Sequence, residues 1–380
     1  MKPTAPVYRL EAIRVAGFKS FDQEGQVLRL GNVTVLIGSN GAGKSNVVGL
    51  FSLLQSLVNQ QLQNWTLQRG GAPTLLHYGP KTTEHISLDL SFRDNGLVSK
   101  YHLKLGFVVR DKLVIVNEAE SHTNTALGAE PKEPGRLREP EGGYHPRDGF
   151  RLESTVFHRY RSSEVLRRCR AYQFHDTSDR AAIRLGGFVR DNAILRADGG
   201  NLAPFLYRLQ QAFPTHYQRI TETVRLVVPG FQQFVLQPNP ADPQQITLDW
   251  TDGTDYVFGT HQFSDGSLRF IALVTLLLQP RELLPGVIVL DEPELGLHPA
   301  ALHLLVELIR ARQSDCQILL ATQSAELLDH FSPTETVIVE YDAQRRRSTF
   351  RYLDPAELDH WLADYSLSQL WDKNLLGGRP

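Results

Sequence analysis

Residues Gly38-Ser39-Asn40-Gly41-Ala42-Gly43-Lys44-Ser45 spell GxxxxGKS between an apolar run, Val33 to Ile37, and a helical pattern that begins at Asn46. A loop of this kind binds polyphosphate: its glycines let successive N–H groups turn inward, Lys44 reaches the β- and γ-phosphates, and the Ser45 hydroxyl is placed to ligate Mg²⁺. The helix from Asn46 aims its positive N-terminal end at the same anion. A plain flexible glycine turn would account for neither Lys44 nor Ser45.

A second group of chemical residues lies far along the chain. Val287-Ile288-Val289-Leu290 is wholly aliphatic and ends in Asp291-Glu292-Pro293. A buried strand would carry Asp291 to its tip, where a carboxylate can hold Mg²⁺ through water, and Glu292 can take a proton from an attacking water. An acid pair after an apolar strand is by itself also a common loop start; beside a phosphate loop it reads as the second half of an ATP-hydrolysing site.

These residues need a sheet to position them. Leu10 to Ala16, Gln26 to Leu30 and Val33 to Ile37 are strand-like and read as the first strands of that sheet, with Val47, Leu50, Phe51, Leu54, Leu57 and Val58 marking a helix over Asn46 to Leu62. Ile86 to Phe92, Lys100 to Val109 and Lys112 to Glu118 alternate apolar and polar residues as a half-exposed antiparallel meander does. Residues Ser121 to Phe150, rich in Gly, Pro, Glu and Arg, read as a disordered insertion or equally as a partner-binding loop. From Arg151 to Arg225 there are thirteen arginines and no lysine against seven acidic residues, a local excess of six positive charges, and Leu202 to Phe213 and Tyr217 to Val228 read as two helices. Val287 to Leu290 and Ile318 to Ala321, joined by a helix over Pro299 to Arg312, have the pattern of buried parallel strands with a crossover.

Composition sets the outer bounds. With 380 residues, 41% hydrophobic and 22% charged, the chain is globular and longer than one ordinary domain. A net charge of −2 gives no overall pull toward polyanions, so any such surface must be local. Two cysteines, Cys169 and Cys316, suit a reduced, cytoplasmic setting rather than a disulfide framework or zinc site. The start of the chain lacks a signal-peptide core and no apolar run approaches the roughly 18 residues that span a bilayer, so no membrane role is expected.

Between the two chemical groups, Phe263-Ser264-Asp265-Gly266-Ser267-Leu268-Arg269 precedes an apolar helix, Phe270 to Leu278, and Ser264 lies 27 residues before Asp291. This segment resembles the LSGGQ signature of ABC-type ATPases. The resemblance implies that the Ser264 hydroxyl and Gly266 amide, at a helix N-terminus, grip the γ-phosphate held by a second protomer. Asp265 departs from the family's glycine; a carboxylate there would repel phosphate, so it is expected to point away and cap the helix. Glu294-Leu295-Gly296-Leu297-His298-Pro299 occupies the place of the interface-crossing D-loop, with His298 read as a helix-start residue. Thr322-Gln323-Ser324 follows Ile318 to Ala321, and Gln323 stands where the family usually has its switch histidine; a glutamine amide can donate to phosphate but cannot shuttle a proton. Ala171-Tyr172-Gln173-Phe174-His175-Asp176 is similar to the strand-then-Gln pattern of the Q-loop, with His175 on the usual glutamine and Gln173 as the alternative near Mg²⁺ and water. Gly17-Phe18-Lys19-Ser20-Phe21 resembles the loop after the first strand of SMC-type heads, which implies that Lys19 touches the nucleotide.

The motifs cover about residues 10 to 340 in the order of an ABC ATPase of the RecF, SMC and OLD-like branch. DEPELGLHP, SDGSLRF and ATQS, with the stretch from Trp361 to Asn374, look especially like stand-alone bacterial RecF-like ATPases. No sustained heptads suggest an SMC coiled coil, and the roughly 40 residues after the last expected strand are too few for a Toprim domain. The implied fold is α/β: a P-loop NTPase of the ABC head type, with a mixed parallel core sheet, an antiparallel β subdomain and an inserted helical lobe. Its expected division is 1–120 with the phosphate loop, 121–150 as insertion, 151–235 as an arginine-rich lobe, 236–352 with signature, acid pair and switch, and 353–380 as a helical tail. The implied cofactors are ATP and Mg²⁺, and the implied chemistry is hydrolysis to ADP and phosphate. Catalysis would use Lys44, Glu292, Gln323 and His175, the metal being held by Ser45 and Asp291. ATP would join two chains as a homodimer. DNA, in repair or defence against foreign genetic elements, is the first expected partner; an effector protein such as a nuclease or toxin, held or released without DNA contact, is the second. The motor of a transporter is a weaker third, since Gln323 and the SDG signature both depart from that group.

Overall fold

The computed structural model describes residues 9–94, 97–108, 111–124 and 162–378. Contacts divide the chain into two compact units, Met1–Arg170 with Ser332–Pro380, and Ala171–Phe331.

The first unit begins with β1 (Arg9–Ala16), β2 (Gln26–Arg29) and β3 (Val33–Ile37), followed by α1 (Lys44–Val58) and α2 (Leu62–Gln68). The single helix expected over Asn46 to Leu62 is therefore two, because Gln60 turns into the left-handed region at φ 58° and breaks the ladder. Three long strands follow, β4 (His85–Asp94), β5 (Leu97–Val108) and β6 (Lys112–Asn124), then α3 (Ser162–Arg167) and β7 (Cys169–Tyr172), whose last two residues belong to the second unit. The meander exists as its alternation foretold, but β1 and β2 are not the first strands of the phosphate-loop sheet. They join the meander in a five-stranded sheet ordered β2-β1-β4-β5-β6, with Ile13 opposite both Leu28 and Leu90. The reason is visible in β1, whose mixed burial suits a sheet with one covered face, whereas all five residues of β3 are buried. Strand β6 also runs to Asn124, into the expected insertion; the rest of that insertion, and Arg151 to Arg161 of the arginine-rich stretch, lie outside the described residues.

The second unit holds β8 (Gly187–Phe188), α4 (Leu202–Ala212), α5 (Pro214–Val227), β9 (Gln233–Val235), β10 (Pro238–Asn239), β11 (Asp242–Ile246), β12 (Asp249–Thr251), β13 (Val257–Phe258) and α6 (Asp265–Leu278). It continues through β14 (Val287–Asp291), α7 (Pro299–Arg312), β15 (Gln317–Thr322) and α8 (Ala325–Leu328). Every residue of β14 and β15 is buried, and the two pair in parallel with Asp291 opposite Ala321. Two small three-stranded sheets are ordered β10-β11-β8 and β13-β12-β9.

The chain then returns to the first unit as β16 (Thr336–Asp342), β17 (Arg347–Tyr352), α9 (Pro355–Leu362) and α10 (Leu367–Asp372). Strand β16 lies parallel to β3, Val337 opposite Leu36, and antiparallel to β17. Strands thus continue to Tyr352, past the end expected near residue 340. The early run of β16, Thr336 to Val339, is buried like β3.

Candidate functional site

In the first unit, the strand-to-helix turn after β3 carries Gly38 to Ser45. Gly38 lies so close to β16 that a Cβ would stand 2.3 Å from the Val339 carbonyl oxygen, and a Cβ on Gly43, at φ 115°, would stand 2.3 Å from Ser348 Oγ. Only glycine fits either position. Gly41, at φ 81°, is free of neighbours and exposed. Lys44 is buried and its Nζ donates to Gly38 O at 2.7 Å and Ser39 O at 3.0 Å, which holds the loop curled around its ammonium group. Helix α1 starts at Lys44 with no side-chain cap and no acid in its first turn, so its leading N–H groups are suited to an anion. Ser45 is exposed on that turn, and the Ala42 carbonyl accepts a hydrogen bond from Ser348 Oγ at 2.6 Å.

Ser348 is marked by no motif in the sequence, and Ser20 stands there only as part of the loop around Lys19. Ser348 Oγ also lies 2.7 Å from Ser20 Oγ, and Asn46 Nδ2 donates to that same Ser20 oxygen at 2.7 Å. Two hydroxyls therefore brace the loop and the helix start. Ser348 lies on β17 and no local pattern marks it. Lys19 sits beside them in a left-handed turn at φ 49°, its ammonium pushed below the ordinary lysine range by burial and then by the charge of Arg69. It lines a cleft with Ser20, Tyr78, Tyr341 and Arg346, in which the Tyr78 and Tyr341 hydroxyls meet at 2.9 Å.

In the second unit, the parallel register of β14 and β15 brings their C-terminal ends side by side, as ligand-binding ends of such strands are. Asp291 is buried; its Oδ2 accepts from Gln173 Nε2 at 2.8 Å, while the His175 Nε2 lies 2.8 Å from the Asp291 carbonyl. Gln173, directly after β7, is thus the side chain on the carboxylate, and His175 is on the backbone. Glu292 takes up φ 41°, a left-handed conformation unusual for glutamate, and its N–H donates to Ala321 O at 2.7 Å. Gln323 Nε2 donates to Glu292 Oε1, and Thr322 Oγ1 to Glu294 Oε1. Burial raises the Glu294 carboxyl above the usual range, against that hydrogen bond.

Helix α6 starts at Asp265, earlier than expected. Ser264, not Asp265, is its cap: Ser264 Oγ accepts from Ser267 N at 3.1 Å and meets Ser267 Oγ at 2.8 Å. Asp265 instead pairs with Arg184 Nη2 at 2.8 Å, which holds its carboxyl below the usual range. Phe263 stacks on Trp250, ring centroids 5.0 Å apart, and so anchors the segment before the helix. Gly266 packs against the 292–296 turn so tightly that a Cβ would stand 2.2 Å from Gly296 O. His298 starts α7 as expected, its Nδ1 accepting from Ala300 N at 3.3 Å.

Ser45 and Asp291 are hard oxygen donors of the kind Mg²⁺ takes. Among the described residues, no group of three or more His, Cys, Asp or Glu forms a metal cage. Among the described residues, no helix is long and apolar enough to cross a membrane.

The sequence from residue 33 to 329 matches the family model described as "AAA domain, putative AbiEii toxin, Type IV TA system". None of the curated proteins matches it. Among solved structures, the chain is similar to the SmcHead bound to the C-winged helix domain of ScpA, at 14% identity and TM-score 0.57 over 92% of this chain and 99% of that one. It is also similar to the Smc head domain with an extended coiled coil bound to the C-terminal domain of ScpA from Pyrococcus furiosus, at 13% identity and TM-score 0.56 over 94% and 99%. Those likenesses establish a shared fold, that of the P-loop heads of the SMC branch.

Proposed function

The chain belongs to this AAA-domain family, and from that premise we propose that it binds and hydrolyses Mg·ATP and dimerises when it does. The observation that carries the reading is the paired chemistry: a lysine-centred phosphate loop in one unit, and in the other an Asp291, Glu292 and Gln323 cluster at the ends of parallel strands. In this reading Gly38 to Asn46 cradle the phosphates, Lys44 neutralises their charge, Ser45 and Asp291 hold Mg²⁺, and Glu292 takes the proton of the attacking water. Mg²⁺, when bound, would neutralise part of the charge on the phosphates. Gln323, already against Glu292, orients that carboxylate, and Gln173 or His175 steadies Asp291. Lys19, with the tyrosine cleft beside it, takes the nucleoside end. Ser264 and Gly266 serve the γ-phosphate of a second chain.

DNA, in repair or defence, is the first proposed target, supported by the arginine-dense stretch. A second reading, a nucleotide switch acting on an effector protein such as a nuclease or toxin, has a specific observation in its favour. Four of those arginines are used within the protein: Arg184 on three carbonyls and Asp265, Arg196 on Asp191, Arg208 on Asn192 and Ala193 carbonyls, and Arg225 on Gln232. The family description names a toxin–antitoxin system, and the SMC heads were solved with a protein bound, which fits a protein target too. Phosphate release from ATP with and without Mg²⁺ tests the enzyme; no release above a Lys44→Ala control rejects it. Binding of labelled duplex and single strands across a salt series separates the targets, since phosphate contacts must weaken steeply with salt. No affinity at low salt removes DNA.

A further inference from the structure

Two guanidinium groups tie the start of α6 to the segment that carries Gln173. Arg269, in the first turns of α6, donates from Nε to Phe174 O at 3.1 Å, from Nη2 to His175 O at 2.8 Å and Thr177 Oγ1 at 3.1 Å, and from Nη1 to Leu295 O at 3.2 Å. Arg184, almost fully buried, donates to the carbonyls of Thr177, Thr260 and Phe263 and to Asp265. Gly266 and Gly296 meet backbone to backbone beside them.

The partners of Arg269 are not a random set. Phe174 and His175 directly follow Gln173, which lies on the Asp291 carboxylate; Leu295 lies in the turn that leaves Glu292; and Arg269 itself is five residues from Ser264. A backbone carbonyl cannot change rotamer to keep a hydrogen bond, so a planar fork engaged on three of them fixes the three segments relative to one another. A structural arginine that merely satisfied buried carbonyls would need no such choice of partners. Nor could lysine replace it, because a single ammonium on a flexible stem cannot span the same acceptors.

We infer that Arg269 is a positioning residue that couples the Asp291–Gln173 side of a chain's own nucleotide site to the Ser264–Gly266 tip offered to the partner's nucleotide. Occupancy of one site then sets the geometry presented to the other. This rests on the ATPase reading above, and its test separates the two.

The test compares the full-length wild type with Arg269→Lys and with Thr177→Val, which removes only the hydroxyl acceptor. Binding of a fluorescent ATP analogue is measured without Mg²⁺ and across a Mg²⁺ titration, together with thermal midpoint and the dependence of hydrolysis on ATP. Wild type is expected to respond cooperatively to ATP. Arg269→Lys keeps its Mg²⁺-free affinity within about twofold, loses about tenfold or more in kcat, needs several-fold more Mg²⁺, and loses cooperativity, because misplacement of reacting groups acts on turnover more than on binding. Thr177→Val shows the same split in smaller measure. A folded Arg269→Lys with unchanged kcat, Mg²⁺ demand and cooperativity overturns the inference, as does a loss of affinity and thermal midpoint in parallel with kcat in both variants. A wild type without Mg²⁺-dependent hydrolysis overturns the ATPase reading itself.

Discussion

Gly266→Ala is the smallest change that presses on the signature segment. Its Cβ would stand 2.2 Å from the Gly296 carbonyl oxygen, which is 1.2 Å short of the 3.4 Å where ordinary contact begins. Neither side yields easily. Gly296 sits at φ 73° beside Arg269, whose Nη1 holds the adjoining Leu295 carbonyl at 3.2 Å, and α6 is buried along most of its length. Relief requires one backbone to move by about that shortfall, and overpacking of this kind costs about 1–3 kcal/mol. For a unit the size of Ala171–Phe331 that lowers the thermal midpoint by about 2–12 °C. Displacing the tip by about 1 Å should also lower hydrolysis by about a hundredfold. Affinity for an ATP analogue should change little, because the phosphate loop lies in the other unit. Differential scanning fluorimetry and a coupled phosphate assay read both effects. A variant whose midpoint stays within about a degree and whose kcat stays within about twofold would refute the argument, since the contact would then be softer than its geometry implies.

Lys44→Ala should weaken nucleotide binding and lower hydrolysis by at least about a hundredfold, since the loop loses both its phosphate charge and the donor to Gly38 and Ser39 carbonyls; isothermal titration and phosphate release check it. Gln173→Ala should raise the Mg²⁺ needed for half-maximal hydrolysis several-fold, about as expected for loss of a group that orients a metal ligand, and more than His175→Ala, because Gln173 touches the Asp291 carboxylate and His175 its backbone; equal Mg²⁺ curves for the two would refute the distinction. The Arg184 hydrogen bond holds the Asp265 carboxyl below the usual carboxylate range, so its contribution is present above the unfolded chain's ordinary aspartate titration and lost as pH falls through the lower folded value. Wild type should therefore exceed Asp265→Asn in thermal midpoint by a constant margin from pH 5 to 7, a margin that shrinks below about pH 4; a margin that instead grows toward low pH would show the sign to be wrong.

The elements that carry chemistry were legible because they are local. GxxxxGKS is one turn between a buried strand and a helix, and four aliphatics before Asp291 can only be a buried strand of this length. Crossover helix α7 follows from its own periodicity, and His298 from the proline after it. What stayed hidden depends on neighbours far away in sequence. The strand pattern of β1 is the same whether it joins β3 or β4, and only tertiary pairing decides. Ser348 braces the phosphate loop from about 300 residues away, and Arg184 neutralises Asp265 from 81 residues away. The arginine-dense stretch shows the same limit from the other side. Composition counts its charges, but cannot tell an arginine aimed at solvent from one spent on buried carbonyls, as Arg184 is. Gln173 and His175, two residues apart, are candidates for one role, and only the path of the chain after β7 distinguishes the carboxylate contact from the backbone one.

In the proposed cycle two chains close around ATP, each lending Ser264 and Gly266 to the other's triphosphate. Glu292→Gln removes the base while keeping a side chain that can still face Gln323, so bound ATP should persist. Light scattering on that variant, with saturating ATP and Mg²⁺, should give twice the 42.8 kDa mass of one chain, returning to the monomer mass with ADP. A Glu292→Gln protein that binds ATP and remains at the mass of one chain would contradict the account.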